Sequence, residues 1–208
     1  MKKNNHNWGI AALLALLPAT ALAQPSPEEE LEEIYGGEEF VRIATGVAQP
    51  VTKVPAVASI ITADDIRRIG ATDIDEVLET VPGLHVARSA TGYNPIYTFR
   101  GIYSSFNPQV LILLNGIPLT NLNLGDRNLA WGGMPVEAIS RIEVVRGPGS
   151  AVYGADAFAG VINIVTKTPE ELEGLSLGAR AGSFDTQTGW LQYGGSRGEL
   201  RYGAVVEA

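Results

Sequence analysis

The run from Arg141 to Lys167 has the small residues of a loop that could hold an anion. It places glycine at four positions and alanine at four others, around and between two apolar segments. Glycine-rich loops cradle phosphate when their spacing is G-x-x-x-x-G-K-[ST], or when G-x-G-x-x-G leads into a helix. Neither pattern occurs in this run, so we predict no nucleotide site. The small residues instead predict tight backbone turns and close packing of this run against a neighbouring surface. They are Gly147, Gly149, Gly154, Gly160, Ala151, Ala155, Ala157 and Ala159.

Side chains for hydrolytic or metal chemistry do not form a recognisable set. Cysteine is absent, which excludes disulfides, thiolate metal sites and a cysteine nucleophile. After residue 23 the one histidine is His85, and a single histidine beside a strand is usually structural. We find no serine-nucleophile motif and no H-E-x-x-H motif. The sequence therefore predicts no catalytic residue, no metal site and no cofactor, and we do not expect an enzyme.

The composition indicates a folded protein that is rich in strands and turns. Hydrophobic residues make up 45% and charged residues 18% of the 208 residues, so a core can form. The 24 glycines exceed the usual share of about 7%, which favours turns and strands over helices. The net charge is -8 and no basic run is present, so we expect no nucleic-acid partner.

The first 23 residues predict a cleaved export signal. A pair of lysines comes first, and residues 8–17 supply an apolar segment that Pro18 breaks. Small residues then form the pattern that signal peptidase recognises, with the cut between Ala23 and Gln24. About ten apolar residues are too few to cross a ~30 Å hydrocarbon layer, so this segment is not expected to anchor the protein. A membrane location would then require a β-barrel.

Residues 24–49 are predicted to form an acidic, open arm. Seven glutamates fall before residue 40. A β-prone run follows from Phe40 to Thr45, isolated from other strands and succeeded by two prolines. Such a run is either an ordinary edge strand or a segment that lends its backbone to the sheet of a partner. The residues alone favour the edge strand.

Residues 50–168 are predicted to form an α+β domain with its own core. A strand is expected at 57–61, followed by a short helix that Thr62 to Asp65 cap. Thr72 is expected to cap a second helix with one apolar face. That face has Ile74, Val77, Leu78 and Val81, and the predicted solvent face has Asp73, Asp75, Glu76 and Glu79.

Further strands of this domain follow an apolar pattern. They are predicted at 110–114, 142–145 and 161–165. Asn115-Gly116, directly after the first of them, predicts a type I′ hairpin turn.

The pattern changes after Pro169. Apolar and polar residues alternate over 175–182 and 201–206, and 187–194 is also strand-like. Alternating segments joined by a short turn, here Ser196-Arg197-Gly198, are typical of the start of a transmembrane antiparallel β-barrel, although a soluble sheet gives the same pattern. The smallest such barrels need eight strands, and about 35 residues make at most three. We therefore expect a fragment or a truncated product that is not a working channel alone.

The run from Arg141 to Lys167 resembles the signature of the TonB-dependent receptor plug domain. Four upstream motifs resemble the same family and come in its order. The resemblance covers residues 50–168 and implies a plug with a small mixed sheet and short helices, seated in a β-barrel whose first strands are 169–208. The four motifs are Ile66–Thr72, Val77–Leu84, Phe99–Gly101 and Val110–Leu119.

The resemblance implies a receptor of the cell outer membrane that takes up a scarce ligand, such as siderophore-bound iron or cobalamin. TonB of the inner-membrane energising complex would pull on a released segment, the TonB box, and the plug would gate the barrel. The implied partners are TonB, a small molecule such as a metal chelate, and outer-membrane lipid. The segment at 39–45 resembles the box, with Arg42 where an apolar residue is common. Its residues are Glu39, Phe40, Val41, Arg42, Ile43, Ala44 and Thr45.

The family also implies roles for two arginines and three loops. Arg100 and Arg146 each precede glycine at a strand end, where arginines of the family pair with carboxylates of the barrel wall and lock the plug. Ligand contacts are implied for loops at 93–96, 103–108 and 122–127, whose aromatic side chains could stack on a catecholate or another flat ligand. The candidate residues are Tyr93, Tyr103, Phe106, Asn107, Asp126 and Arg127.

An exported binding or signalling module that uses the plug without a barrel is the alternative to a receptor. The downstream reading frame separates the two, because about 20 further alternating segments would establish a barrel of the plugged class. A stop codon after residue 208 would favour the module.

Overall fold

A five-stranded mixed sheet is formed by strands that lie between residues 57 and 166. The computed structural model describes residues 40–41, 49–50, 57–90, 93–119, 134–183 and 185–208. Short 3-10 turns occupy Val136–Ala138 and Ala155–Ala157. The strands and helices, in chain order, are β1 (Phe40–Val41), β2 (Gln49–Pro50), β3 (Val57–Thr62), α1 (Ala63–Ile69), α2 (Ile74–Glu79), β4 (Leu84–Arg88), β5 (Pro95–Phe99), β6 (Val110–Leu114), β7 (Ile117–Pro118), β8 (Ile139–Arg146), α3 (Ser150–Tyr153), β9 (Gly160–Thr166), β10 (Gly174–Ala181), β11 (Gln187–Arg197) and β12 (Leu200–Glu207).

The strand order of the mixed sheet is β3-β8-β9-β6-β7. Neighbouring strands are antiparallel except β6 and β9, which run parallel with Val110 opposite Gly160. Strands β4 and β5 form a separate antiparallel hairpin. A second sheet, β10-β11-β12, is antiparallel throughout. The predicted fold class is confirmed in these terms: a small mixed sheet with short helices, followed by antiparallel strands.

Helix α1 begins with the cap that the sequence predicts. The Thr62 hydroxyl accepts a hydrogen bond from the Asp65 amide (3.2 Å), and the Asp65 carboxylate accepts one from the Thr62 amide (3.0 Å). This reciprocal pair is a capping box, which satisfies two amides that the helix leaves without partners. The helix ends at Gly70, whose φ of 75° is readily adopted by glycine.

Helix α2 differs from the prediction at two residues. Asp73, not Thr72, is the N-cap, because its carboxylate accepts from the Glu76 amide three residues later (2.8 Å). Thr72 instead donates its amide and hydroxyl to the Glu76 carboxylate. Asp75, predicted to face solvent, has a side chain only 15% exposed, because it packs against the β4–β5 hairpin. The apolar face is buried as predicted: Ile74, Val77, Leu78 and Val81.

The turn after β6 is the predicted two-residue hairpin. Leu114 pairs with Ile117, and both turn residues have positive φ, 51° at Asn115 and 80° at Gly116. Positive φ at both positions defines a type I′ turn. Asn163 on β9 accepts a hydrogen bond from the Gly116 amide (2.9 Å), so the turn is fixed to the centre of the sheet.

The core of this domain packs α1, α2 and the β4–β5 hairpin against one face of the mixed sheet. Tyr97, Phe99 and Leu78 are among its largest fully buried side chains. The backbone approaches its neighbours closely at Gly160, where an added Cβ would lie 2.8 Å from both the Phe99 ring and the Val145 carbonyl oxygen. Only glycine fits there, which explains one of the small residues in the run from Arg141 to Lys167.

The three-stranded sheet alternates in side-chain character as predicted. Its apolar face carries large exposed side chains, with Leu177 73% exposed. Its other face turns Arg180, Trp190 and Gln192 toward the first domain. The turn between β11 and β12 is Gly198-Glu199, not the predicted Ser196 to Gly198, because strand pairing continues to Arg197 opposite Leu200. The apolar face consists of Leu175, Leu177, Leu191, Tyr193, Leu200, Tyr202, Ala204 and Val206.

Several predictions concern residues outside the described ranges. These are the export signal at 1–23, the arm over 24–39, and the third predicted ligand loop at 122–127. Among the described residues, no helix is long and apolar enough to cross a membrane.

Candidate functional site

The predicted coupling segment begins in a short strand pair. Phe40 lies opposite Pro50 and Val41 opposite Gln49 in the antiparallel pair β1–β2. Glu39 and residues 42–45 lie outside the described residues. Phe40 and Val41 of the segment thus pair with a two-residue strand of the same chain.

Arg146, at the end of β8, is held inside its own domain. Its guanidinium donates to the Pro82 carbonyl (2.7 Å) and to the Ser59 hydroxyl (3.2 Å). Its Nε is buried and has no hydrogen-bond partner among the described residues. The side chain is therefore positioned by β3 and by the segment after α2. Its Nε can still donate to a further acceptor.

Arg100 lies at the end of β5 in an uncommon backbone conformation. Its φ is 48°, followed by 80° at Gly101, and its amide donates to the Gly83 carbonyl (2.8 Å). The side chain is exposed, and within the described ranges it forms no ion pair. Positive φ at an arginine costs free energy, and such strain is usually retained where the direction of a side chain matters. Among the residues that the structure describes, Arg100 and Arg146 do not contact a shared carboxylate.

The predicted ligand loops present exposed aromatic side chains. Tyr93 is 78% exposed in the loop between β4 and β5, while Tyr103 is 61% and Phe106 57% exposed in the loop between β5 and β6. Large aromatic side chains are usually at least half buried, so the exposure of all three keeps them as candidates for contact with a ligand. Asp126 and Arg127 lie outside the described residues.

Asn107, another predicted ligand contact, is fully buried instead. Its side-chain amide accepts from the Tyr97 amide and donates to the Pro95 carbonyl, both at 2.9 Å. Asn107 therefore holds its loop in place, and we do not retain it among the residues that contact a ligand.

An acid–base cluster that the sequence did not reveal joins α2 to the β4–β5 hairpin. Asp75 forms an ion pair with Arg88 (2.7 Å) and accepts a hydrogen bond from the Tyr97 hydroxyl (3.0 Å). Burial raises the pKa of Asp75, and the Arg88 charge opposes that shift. Burial, followed by the Asp75 charge, raises the pKa of Tyr97 well above its usual value. The cluster lies at the end of the hairpin next to the loop that carries Tyr93.

His85 on β4 lies beside the carboxylate of Glu79 on α2. Its Nδ1 lies 2.6 Å from the Glu79 carboxylate, whose other oxygen accepts from the Val86 amide (2.6 Å). These hydrogen bonds lower the pKa of Glu79, and the bond from the Val86 amide has the larger effect. Within the described residues no group of three or more potential ligands could hold a metal ion.

A second unpredicted cluster joins the three-stranded sheet to the first domain. Arg180 on β10 binds the Glu137 carboxylate (3.0 Å) and the Glu207 carboxylate (2.9 Å). Its guanidinium carbon lies 5.6 Å from the centre of the Trp190 ring, within range of a cation–π interaction. The ring occupies space over Gly178, where an added Cβ would lie 2.2 Å from it. A cleft of about 640 Å³ opens beside this cluster, between α1 and the sheet.

The junction between the two parts is a capped turn. The Glu171 carboxylate accepts from the Thr168 amide (2.7 Å), and the Thr168 hydroxyl accepts from the Glu171 amide (3.3 Å). Leu172 follows and is 8% exposed. Its side chain fills the space over two glycines that face each other on β11 and β12, Gly194 and Gly203. The first domain is therefore fixed to the sheet by packing as well as by charge.

Comparison with known proteins decides the family. A model described as TonB-dependent Receptor Plug Domain matches residues 50–161, more than half of the chain. The chain belongs to this family. Within this match the structure describes residue 50 and residues 57–90, 93–119 and 134–161, and the resemblance predicted from the sequence is confirmed.

Similar proteins include two curated receptors. The vitamin B12 transporter BtuB of Vibrio vulnificus is 34% identical over 173 residues, which is 83% of this chain and 27% of the relative. The ferric enterobactin receptor PirA of Pseudomonas aeruginosa is 36% identical over 185 residues, 78% of this chain and 24% of the relative. The chain therefore spans about a quarter of the length of these relatives.

Solved structures show the same arrangement of the chain. The pyoverdine outer membrane receptor FpvA of Pseudomonas aeruginosa, bound to pyoverdine, superposes with a TM-score of 0.64 at 25% identity, over 81% of this chain and 24% of that one. The ferric-catecholate import receptor Fiu of Escherichia coli K12 gives a TM-score of 0.58 at 25% identity, over 76% of this chain and 22% of that one.

Proposed function

We propose that this chain is the N-terminal part of a TonB-dependent outer-membrane receptor that actively takes up a scarce ligand. The family match over residues 50–161 carries the proposal. The similar proteins are named for vitamin B12, ferric enterobactin, pyoverdine and ferric catecholates, so siderophore-bound iron and cobalamin are the ligand classes we propose. The plug gates the barrel, and no catalytic step is involved.

TonB is the proposed energy-coupling partner, and residues 39–45 are the segment it binds. An extended segment can add a strand to the edge of a partner sheet, and its backbone hydrogen bonds then supply the affinity. The two-residue pairing of Phe40 and Val41 with β2 supports a strand conformation at this segment. Because so short a ladder is weak, TonB can replace β2 as the strand partner.

The outer membrane is the proposed location, with the plug facing the periplasm and the barrel lumen. The exposed apolar face of β10, β11 and β12 is suited to contact with lipid, and its polar face already lies against the plug. Export requires cleavage between Ala23 and Gln24. Sequencing the N-terminus of the envelope protein tests this step, since a protein that still begins with Met1 would contradict cleavage.

Arg100 and Arg146 are proposed to lock the plug to carboxylates of the barrel wall. Arg146 has a buried Nε available for an acceptor, and Arg100 extends from a backbone in a strained conformation. Arginine–carboxylate pairs are geometrically specific, while the cost of desolvation limits their net stability, so such a lock can open.

Replacing Ile43 by proline in the full-length receptor tests energy coupling. Proline removes a backbone donor and fixes φ, which prevents strand pairing with TonB without touching the ligand loops. We expect energised uptake to be lost while ligand binding stays nearly unchanged, and Ile43→Val to behave as wild type. The probes are radiolabelled ferric enterobactin and cyanocobalamin, with and without an uncoupler of the proton-motive force. Normal uptake by the proline variant would show that the coupling segment lies elsewhere. If the uncoupler leaves uptake by the wild type unchanged, the proposal of active transport is wrong.

A further inference from the structure

Asn107 lies where the two described ligand loops meet. Its side chain is fully buried, although the loop around it is mostly exposed. The amide oxygen accepts from the Tyr97 amide, and the amide nitrogen donates to the Pro95 carbonyl, both at 2.9 Å. Pro95 comes two residues after Tyr93, whose side chain is exposed. One side-chain amide therefore attaches the loop at 100–109 to the start of β5 and the loop that precedes it.

The geometry of this amide imitates a strand partner. In a parallel sheet, a residue donates to the carbonyl before its opposite residue and accepts from the amide after it. Asn107 makes both bonds with Pro95 and Tyr97, on either side of Ile96. The opposite edge of β5 pairs with β4. The side chain thus completes the backbone hydrogen bonding of β5 on the edge that pairs with no other strand of the described ranges.

The backbone of Asn107 shapes its own loop. Its amide donates to the Ser104 carbonyl (3.3 Å), and its carbonyl accepts from the Val110 amide (3.2 Å). Its φ is 50°, a conformation that asparagine tolerates better than most residues. The loop therefore turns around a buried Asn107 and leaves Tyr103 and Phe106 exposed.

We propose that Asn107 is a positioning residue that holds both loops as one aromatic surface for the ligand. This inference rests on the proposed function and assigns the surface to Tyr93, Tyr103 and Phe106. The matching ligand is a chelate with flat aromatic arms, such as a catecholate, because tyrosine and phenylalanine rings bind flat groups by offset or edge-to-face stacking. Asn107 acts by fixing the loops and does not contact the ligand.

The chemistry of the bridge restricts which residue can form it. Aspartate keeps the acceptor for the Tyr97 amide but has no donor for Pro95, and it would bury a charge. Glycine keeps the positive φ and removes the amide group. Asn107→Gly therefore breaks the bridge without forcing a new backbone conformation.

The matched control is Tyr97→Phe. It removes the hydroxyl that donates to Asp75 (3.0 Å) in the same hairpin, and it leaves the Tyr97 amide bonded to Asn107. Both variants loosen the hairpin, but only Asn107→Gly separates it from the loop at 100–109.

Hydrogen exchange of the full-length receptor in detergent tests the positioning role. In Asn107→Gly we expect amides of 93–97 and of 102–109 to exchange at least about tenfold faster, because two buried backbone groups lose their partners. In Tyr97→Phe the exchange of 102–109 should match wild type. Faster exchange in only one of the two segments, or in neither, would overturn the proposal.

Binding of ferric enterobactin, ferric pyoverdine and cyanocobalamin, followed by intrinsic fluorescence, tests the ligand assignment. We expect the aromatic chelate to bind wild type best and Asn107→Gly to weaken it by about tenfold, with Tyr97→Phe changed less than about threefold. Unchanged affinity in Asn107→Gly with loosened loops would overturn the role in binding. If wild type binds none of the three, the proposed ligand classes fail, while the exchange result still decides the role of Asn107 in holding the loops.

Discussion

The guanidinium of Arg180 donates a 3.0 Å hydrogen bond to the carboxylate of Glu137 and so joins the first strand of the three-stranded sheet to the plug. The Arg180 side chain is 25% exposed and that of Glu137 14%. Glu207 binds the same guanidinium from β12. A single cation thus separates two carboxylates that would otherwise repel each other, in a region of low solvent access.

Replacing Arg180 by glutamine should destabilise the full-length receptor by about 2 kcal/mol. Removing one partner of a buried ion pair costs ~3–5 kcal/mol, and the remaining exposure of Arg180 reduces this value. The measurement is urea unfolding in detergent. The double variant with Glu137→Gln should recover part of the loss, because it removes one of the two uncompensated carboxylates. A single variant within ~0.5 kcal/mol of wild type would show that the pair does not hold the sheet to the plug.

Local elements of this fold could be predicted from the sequence, whereas this ion pair could not. The capping box at Thr62 and the Asn115-Gly116 turn depend on residues within four positions of each other, so their signals are readable. Arg180 and Glu137 are 43 residues apart, and neither differs from an ordinary surface charge until the sheet is placed on the plug.

The same limit explains the misread residues. By helical spacing Asp75 falls on the polar side of α2. It is buried because Arg88 on β4 and Tyr97 on β5 contact its carboxylate. Asn107 directly follows the exposed Phe106 in a polar loop, where the sequence favours solvent contact. Its burial depends on the edge of β5 that lies opposite β4. Tyr93, Tyr103 and Phe106 are exposed in their loops, and their contact with a ligand stays a prediction.

Replacing Thr62 by valine should destabilise the plug by about 1 kcal/mol at neutral pH, since the N-cap hydroxyl is lost. The difference should shrink in acid. Hydrogen bonds from the Thr62 side chain, then its backbone, hold the pKa of Asp65 below its ordinary value. The carboxylate therefore stabilises the fold above about pH 4, and this contribution is lost as the pH falls through the lowered pKa.

Urea midpoints of the full-length receptor at pH 7 and at pH 3 provide the measurement. Thr62→Ser is the control, because serine keeps the hydroxyl and should stay near wild type at both values. A Thr62→Val deficit that grows on acidification would contradict the assigned role of Asp65.

Replacing Gly160 by alanine should destabilise the plug by about 2 kcal/mol. The added methyl would lie 2.8 Å from the Val145 carbonyl oxygen, and this backbone atom cannot move without disturbing the β8–β9 pairing. Gly182→Ala is the matched control, since its nearest neighbour, the Thr186 Cβ, would be 3.7 Å away. The readout is the thermal midpoint of each variant. Equal midpoints would mean that the approach of Phe99 and Val145 to Gly160 does not limit packing.

The plug produced alone, as residues 50–168, should fold as a soluble domain of marginal stability. Its caps, its type I′ turn and its buried core agree on one structure, which favours folding. Its stability should be low, because small residues such as Gly149 and Ala157 bury little area at ~25 cal/mol per Å². Circular dichroism during urea unfolding measures it, and an aggregated or unfolded 50–168 would contradict an independent core.

The longer piece, residues 24–208, should aggregate or require detergent. Strand β10 ends the three-stranded sheet on one side and β12 on the other, so both edges offer unpaired backbone groups to another chain. The same strands expose an apolar face on which Leu175 is 64% and Leu177 73% exposed. Packing of Leu172 against Gly194 and Gly203 holds this face outward, away from the plug. A monomeric 24–208 that unfolds cooperatively in plain buffer would count against barrel strands and in favour of a free-standing plug module.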